Sequence, residues 1–240
     1  MTNTMRLDNV AHADLRIARG HGPAYGDAVN QIAVFLPEFE EAQRDYPILF
    51  LRGEDGLLQS IAILGLDRDE NLFLEGDSRW SGGYVPAMAR RGPFLIGFAG
   101  GEPVIHVDLD HPRVTQANGN ADGAEGDPVF LPQGGQGPAL ERALAALRAI
   151  HVGNEAAKTM TDLFDALGLV QPVSLDVQVS DRHSYTFNDY LAITHEKIAS
   201  LDGEALAQLN QAGLLLPAVF AAASLANVHR LIARKRARMS

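Results

Sequence analysis

The chain has 240 residues, 46% hydrophobic and 21% charged, which is enough apolar material for a full core and too ordinary a balance for a disordered chain. It has no cysteine, which excludes disulfides, thiolate metal sites, iron–sulfur clusters and cysteine nucleophiles. The net charge of −10 is uneven: Arg230, Arg234, Lys235, Arg236 and Arg238 crowd the C-terminus, so the acidic body before them repels phosphate and argues against nucleic acid as a partner.

The first twenty residues lack the apolar run of a signal peptide. Residues 1–30 read as an irregular entry with a short strand near Leu15–Ala18, and 31–36 as a short apolar run. Pro37 followed by acidic EFEEAQRD predicts a short helix, because proline suits the first turn and acids suit its positive end. Residues 46–51 (YPILFL) and 57–66 predict two strands joined by the turn GEDG, with a further short strand at 71–74. Residues 94–98 and 104–109 predict a hairpin around AGGEP. The segment 1–115 is therefore expected to be a mainly antiparallel sheet with short helices.

Residues 116–137 (QANGNADGAEGDPVFLPQGGQG) interrupt the pattern with many glycines, and predict a flexible loop, a lid or joint, with Phe130 as its anchor. The segment 138–240 reads as mostly helical. Leu140, Leu144, Leu147 and Ile150 predict a helix over 138–152, and Asn154 a cap for a second helix running to Leu167 and ended by Gly168. Alternation of Val173, Leu175, Val177 and Val179 predicts a strand, with 185–190 pairing back. Thr194 and Asp202 are expected helix caps, the second helix ending at Gly213. A last helix carries Phe220, Ala223, Asn227 and Leu231 on its inner stripe and its basic residues on a solvated outer face. The most apolar run, 212–226, is broken by Pro217 and Ser224 and is shorter than the roughly 20 residues of a membrane span. The expectation is a single α+β domain, soluble and cytoplasmic, with a helical C-terminal half packed on an antiparallel sheet.

No GxSxG, GxGxxG or P-loop occurs, so nucleophile-elbow, dinucleotide and nucleotide-phosphate chemistry have no sequence support. His106 and Asp108 share one face of a strand and could supply part of a facial iron triad, with His151, His183, His195 or His229 as third ligand. The opposing reading is a polar strand face before Pro112, and the expectation is no metal and no cofactor. Asn118–Gly123 (NGNADG) resembles the start of a calcium loop but has Val129 where the closing acid belongs. The binding candidates are Trp80, Tyr84, Arg90 and Arg91, since aromatic faces and guanidinium groups suit a carboxylate, phosphate or peptide. Against that stands a packing role for the aromatics and surface ion pairs to Asp67, Asp69 or Glu70 for the arginines.

Residues 45–52 (DYPILFLR), 62–80 (AILGLDRDENLFLEGDSRW), 82–98 (GGYVPAMARRGPFLIGF), 107–114 (VDLDHPRV) and 213–231 resemble the bacterial SapC family, in order and over nearly the whole chain. The most specific block is YVPAMARRGPF; Gly92 stands where relatives tend to carry an aromatic, and His106 is not an expected family residue. The resemblance implies a non-catalytic accessory protein, a companion of TonB-dependent receptors, tryptophan-halogenase-like flavoproteins and cupin-like hydroxylases in nutrient uptake or ligand modification. Its expected partner is a small molecule, a peptide or another protein. An iron-dependent oxygenase and a surface-layer subunit are the alternative readings.

Overall fold

The computed structural model describes residues 3–76, 78–116, 126–180 and 183–239. The fold is α+β, and every strand pairing among these residues is antiparallel. The chain divides into two compact units, one of residues 1–27, 74–80 and 87–151, the other of 28–73, 81–86 and 152–240.

In the first unit the expected hairpin forms between Phe94–Ala99 and Glu102–Asp108, and Thr4–Arg6 adds to its second strand. Its tip turns on Gly100 and Gly101, both at positive φ, a conformation that glycine adopts without a Cβ penalty. The predicted strand near residue 15 is Leu15–Ile17, and it lies between Val114–Gln116 and Asp127–Pro128. Part of the expected flexible loop is thus paired backbone: beyond Asp127–Pro128, Phe130 bridges to Gln136. Residues 117–125, including most of the calcium-loop look-alike, lie outside the described residues. Buried Asp127 accepts from Arg19 and Arg142, which holds that strand to its surroundings. Leu15, Ile17, Phe94, Val107 and Val129 are buried here, together with Leu140, Ala143 and Leu147 at helical spacing.

In the second unit Ile48–Arg52 and Leu58–Ile63 form the predicted hairpin, flanked by Gln31–Ala33 on one side. On the other side, Gln171–Ser180 and His183–Ala192 form a ten-residue-stranded hairpin, longer than expected, joined through the pair Leu191–Phe50. Fully buried Phe39, Tyr46, Phe50, Phe73 and Phe164 form the aromatic core, with Phe50 edge-on to Phe164 at 6.1 Å. The acidic helix after Pro37 is shorter than the sequence implies, Leu36–Glu38 then Phe39–Ala42. Thr194 and Asp202 cap their helices as expected, accepting from Lys197 and Ala205 amides.

Two expectations about the helices need correction. Asn154 caps nothing: Pro138–Ala166 is one helix of 29 residues, and Gly153 within it closely approaches Phe35. It ends at Gly168, where amides of Gly168 and Leu169 return to the carbonyls of Asp165 and Phe164. The last helix is two segments, Leu215–Ser224 and Val228–Met239, and its inner stripe is Ala218, Ala221, Ala222 and Leu231, with Phe220 and Ala223 half-buried. Taken together, Leu215–Met239 is long and apolar enough to cross a membrane by length and composition, which the run of 212–226 alone is not. In this fold Ser224 accepts from the Ile48 amide and Asn227 donates to the carbonyls of Gln43 and Tyr46.

The basic end is solvated only in part: Arg230, Arg236 and Arg238 are exposed, whereas Lys235 and Arg234 are drawn inward. Lys235 is buried and bonds Asp67 and Glu70; Arg234 stacks 4.3 Å over Phe73 and donates to Ser81; Arg236 donates to the carbonyls of Val179 and Gln178. Asp67 and Glu70 are thus the partners of Lys235.

Candidate functional site

The first unit gathers a polar and aromatic cluster from segments far apart in sequence. Strand Glu102–Asp108 ends in a turn in which the His111 amide donates to the Asp108 carbonyl and the Val114 amide to the His111 carbonyl. The turn sets His111 and Arg113 side by side, and the Arg113 amide donates to His111 Nδ1 at 3.1 Å. That bond fixes the neutral tautomer with its proton on Nε2.

Arg113 is buried, and its guanidinium meets three groups. Nη2 donates to Asp27 Oδ2 at 2.6 Å, lies 3.1 Å from His21 Nδ1, and the group sits 4.7 Å over the Tyr25 ring. Asp27 Oδ2 also accepts from the Gly22 amide at 2.9 Å. Burial pushes the Asp27 carboxyl up, but His21, Arg113 and the Gly22 amide outweigh it and hold the group below the ordinary carboxylate value. Trp80 is 8% exposed, and its ring lies edge-on to His21 at 5.4 Å. Trp80 is thus packed against His21 in this unit.

Arg91 stands at the edge of this cluster. It follows the short helix Ala87–Arg90, and Gly92 at positive φ turns the chain away. Its Nη1 donates to the Phe94 carbonyl at 2.9 Å and lies 3.4 Å from that of Gly92. Its Nε and Nη2 bond to no described residue, and it makes no ion pair among them. Burial lowers the Arg91 pKa, with Asp108 acting in the opposite sense. Two parallel N–H groups on one edge of a half-buried guanidinium match a carboxylate or phosphate. Asp108 is held by its amide on the Pro93 carbonyl at 2.9 Å and by Oδ1 accepting from the Asp110 amide at 3.2 Å. His111 is within electrostatic reach of Arg113, Asp108, Arg91 and Asp27, and burial first, then Arg113, holds its pKa below the ordinary histidine value.

The other sequence candidates are placed differently. Arg90 is half-buried at the end of its helix. Tyr84 belongs to the second unit, where its amide donates to Asp45 at 2.9 Å and its hydroxyl to buried Glu38 at 2.8 Å. His106 lies flat on Gly97: a Cβ there would stand 2.1 Å from the imidazole, so the histidine fills space that the glycine leaves. Among the described residues no three His, Asp or Glu side chains are grouped to hold a metal ion.

Sequence reasoning passed over His21, Tyr25, Asp27 and Arg113. The available signal was weak: HGPAYGD and DHPR each hold a histidine, a proline and a charged residue within a few positions, but 86 residues separate Asp27 from Arg113. The second unit offers a shallow depression between Leu49, Ile63, Val177, Phe187, Tyr190 and Leu231, with a cavity volume of only about 10 Å³. The surface it presents is apolar, and the hydroxyl of its one tyrosine, Tyr190, already donates to Gln31 at 2.9 Å.

A protein-family model described as SapC matches residues 7–231. No curated protein matches the chain, and no solved structure does.

Proposed function

The chain belongs to the SapC family, and from that premise we propose that it is a non-catalytic binding protein which holds a carboxylate-bearing small molecule or peptide on Arg91. The observation that supports this reading is the free Nε/Nη2 edge of a half-buried guanidinium that makes no ion pair among the described residues. A cation taken partly out of water without a carboxylate partner gains most from an anion that arrives from outside. Trp80, His21 and the Arg113–Asp27 pair form the rigid backing that sets the turn beside it. No nucleophile–base pair is on that turn, since the His111 Nδ1 is already committed to the Arg113 amide. The accessory role, beside an uptake receptor or a ligand-modifying enzyme, rests on the family resemblance alone.

The test is calorimetric titration with N-acetyl amino acids and free tripeptides, using wild type, Arg91→Lys and Arg91→Ala. A charge-assisted bidentate pair contributes about 1.5–3 kcal/mol, so Arg91→Ala should weaken capture by roughly ten- to a hundredfold. Arg91→Lys keeps the charge and loses the parallel donors, and should fall between the two. Equal affinity in all three proteins would overturn the reading, as would the absence of carboxylate binding by wild type.

A further inference from the structure

The sheet of the first unit has an open edge that carboxylate capture does not use. Its strands run in the order Thr4–Arg6, Glu102–Asp108, Phe94–Ala99, so Phe94–Ala99 has a neighbour on one side only among the described residues. The Asp108 amide donates to the Pro93 carbonyl, which makes Phe94 and Val107 a pair without mutual hydrogen bonds. The backbone groups of Leu95 and Gly97 therefore turn toward Glu102–Asp108, and those of Phe94, Ile96 and Phe98 turn outward. Phe94 is closed by Arg91, whose carbonyl accepts from the Phe94 amide and whose Nη1 donates to the Phe94 carbonyl. The amides and carbonyls of Ile96 and Phe98 bond to no described residue.

Strand edges are ordinarily guarded by charge, proline or a bulge. The strand FLIGFA has none of these, and its register with Glu102–Asp108 is unbroken. Gln171–Ser180, an edge strand of the second unit, is guarded: Arg236 donates to its Gln178 and Val179 carbonyls. On one face of the open strand, buried Phe94 leads to half-buried Ile96 and then to Phe98, which is 66% exposed. The two ends of this edge differ in charge. Arg91 is tied to its base, and exposed Glu102 follows the turn at its tip. Of the other charges at the base, Arg90 is half-buried and has the same sign as Arg91. Asp108 is on the middle strand opposite Thr4, and Asp110 accepts from the Asn3 amide next to the far strand.

An edge with opposite charges at its ends is complementary to itself when run antiparallel. We infer that Phe94–Ala99 pairs with the same strand of a second copy of this chain about a two-fold axis at Gly97, joining two three-stranded sheets into one. Ile96 then stands opposite Phe98 of the second copy, and each such pair exchanges both its hydrogen bonds. Gly97 meets Gly97 in the pair without mutual bonds, where Cα atoms come within about 4.5 Å and no side chain intervenes. Each Phe98 ring covers Ile96 of the other copy. Each tip reaches the other copy's base, which brings Glu102 toward Arg91 and leaves no like charges facing across the axis. Backbone groups carry this pairing, so it goes beyond carboxylate capture and stands if Arg91 takes no ligand.

Sedimentation equilibrium of the full chain in ligand-free buffer tests it, over about 10 μM to 1 mM because a patch of this size gives a weak dimer. The expected result is reversible monomer–dimer association. Amide exchange followed by NMR locates the contact: the Ile96 and Phe98 amides should exchange at least about tenfold more slowly at the high concentration, while Leu95 and Gly97 change little. Phe98→Lys puts a charge on the edge at an exposed position, so the melting temperature at low concentration should stay near wild type while the dimer weakens at least about tenfold. A wild type that stays monomeric throughout overturns the inference. So does a dimer that Phe98→Lys leaves intact, or one in which the Ile96 and Phe98 amides exchange as fast as before. Carboxylate titration of Phe98→Lys reads capture by Arg91 separately, whatever the state of the edge.

Discussion

Gly153 offers a case in which two physical effects of opposite sign meet at one residue. It lies inside the helix Pro138–Ala166, where glycine is ordinarily a defect, and Gly→Ala in a helix interior gains about 1 kcal/mol. Here the new Cβ would stand 2.4 Å from Phe35 Cβ, 2.7 Å from Cδ1 and 2.9 Å from Cγ. Carbon atoms rest about 3.5–4.0 Å apart, so one side must give by roughly 1 Å. Phe35 is poorly placed to yield. Its clashing atom is next to the backbone, its amide donates to Glu38 Oε2 at 2.9 Å, and the other Glu38 oxygen holds the Tyr84 hydroxyl. Overpacking of this kind costs about 1–3 kcal/mol, which leaves Gly153→Ala about 1 kcal/mol less stable after the helical gain. In a chain of this size that is roughly 2–4 °C of melting temperature. Thermal melts followed by circular dichroism measure it, with Gly203→Ala as control. Gly203 opens the helix Gly203–Gln211 and has nothing within 4 Å of an added Cβ, so its substitution should raise the melting temperature. If Gly153→Ala melts above wild type as the control does, the close approach to Phe35 is not what excludes a side chain there.

Lys235→Met should lose roughly 2 kcal/mol in urea unfolding, less than the 3–5 of a fully buried pair because Asp67 is half exposed. An unchanged midpoint would mean that the helix Val228–Met239 is held by packing alone. Asp27 gives a pH signature. Its folded pKa lies below the ordinary carboxylate value, so the ionised group stabilises the fold above about pH 4 and that contribution is lost as the pH falls through the lower, folded value. Asp27→Asn should therefore be less stable than wild type at pH 7, with the difference shrinking below pH 4; a gap constant from pH 7 to pH 2 would refute the pairing with Arg113.

Much of the fold was legible because it is local. The strands around GEDG and AGGEP, the hairpin of alternating valines and the caps Thr194 and Asp202 all follow from residues a few positions apart. Asn154 misled because an asparagine that caps a helix and one inside a helix look alike in sequence; here the helix runs through it from Pro138 to Ala166. The basic C-terminus misled for a related reason, since the acids that bury Lys235 sit near position 70. In the candidate site, Trp80, Arg91 and Asp108 stood out as residue types, whereas His21, Asp27 and Arg113 gain their meaning only from each other. His106 is the converse: an eye-catching residue whose surroundings show it packing on Gly97.

The route of the chain has a bearing on its biosynthesis. The first strand of the central hairpin of the second unit, Ile48–Arg52, leaves the ribosome early, yet the residue that closes one of its edges is Leu191. At about 5–20 residues per second, the intervening stretch takes on the order of ten seconds to appear. Throughout that interval an apolar strand with an open edge waits on the nascent polypeptide, a template for pairing with other chains. Because residues 28–73 need 152–240 to complete their unit, and 1–27 need 87–151, no contiguous fragment of the gene encodes either half of this molecule. Expression of pieces should yield aggregates where the whole yields protein, and holdase chaperones should matter most before the last third has been made.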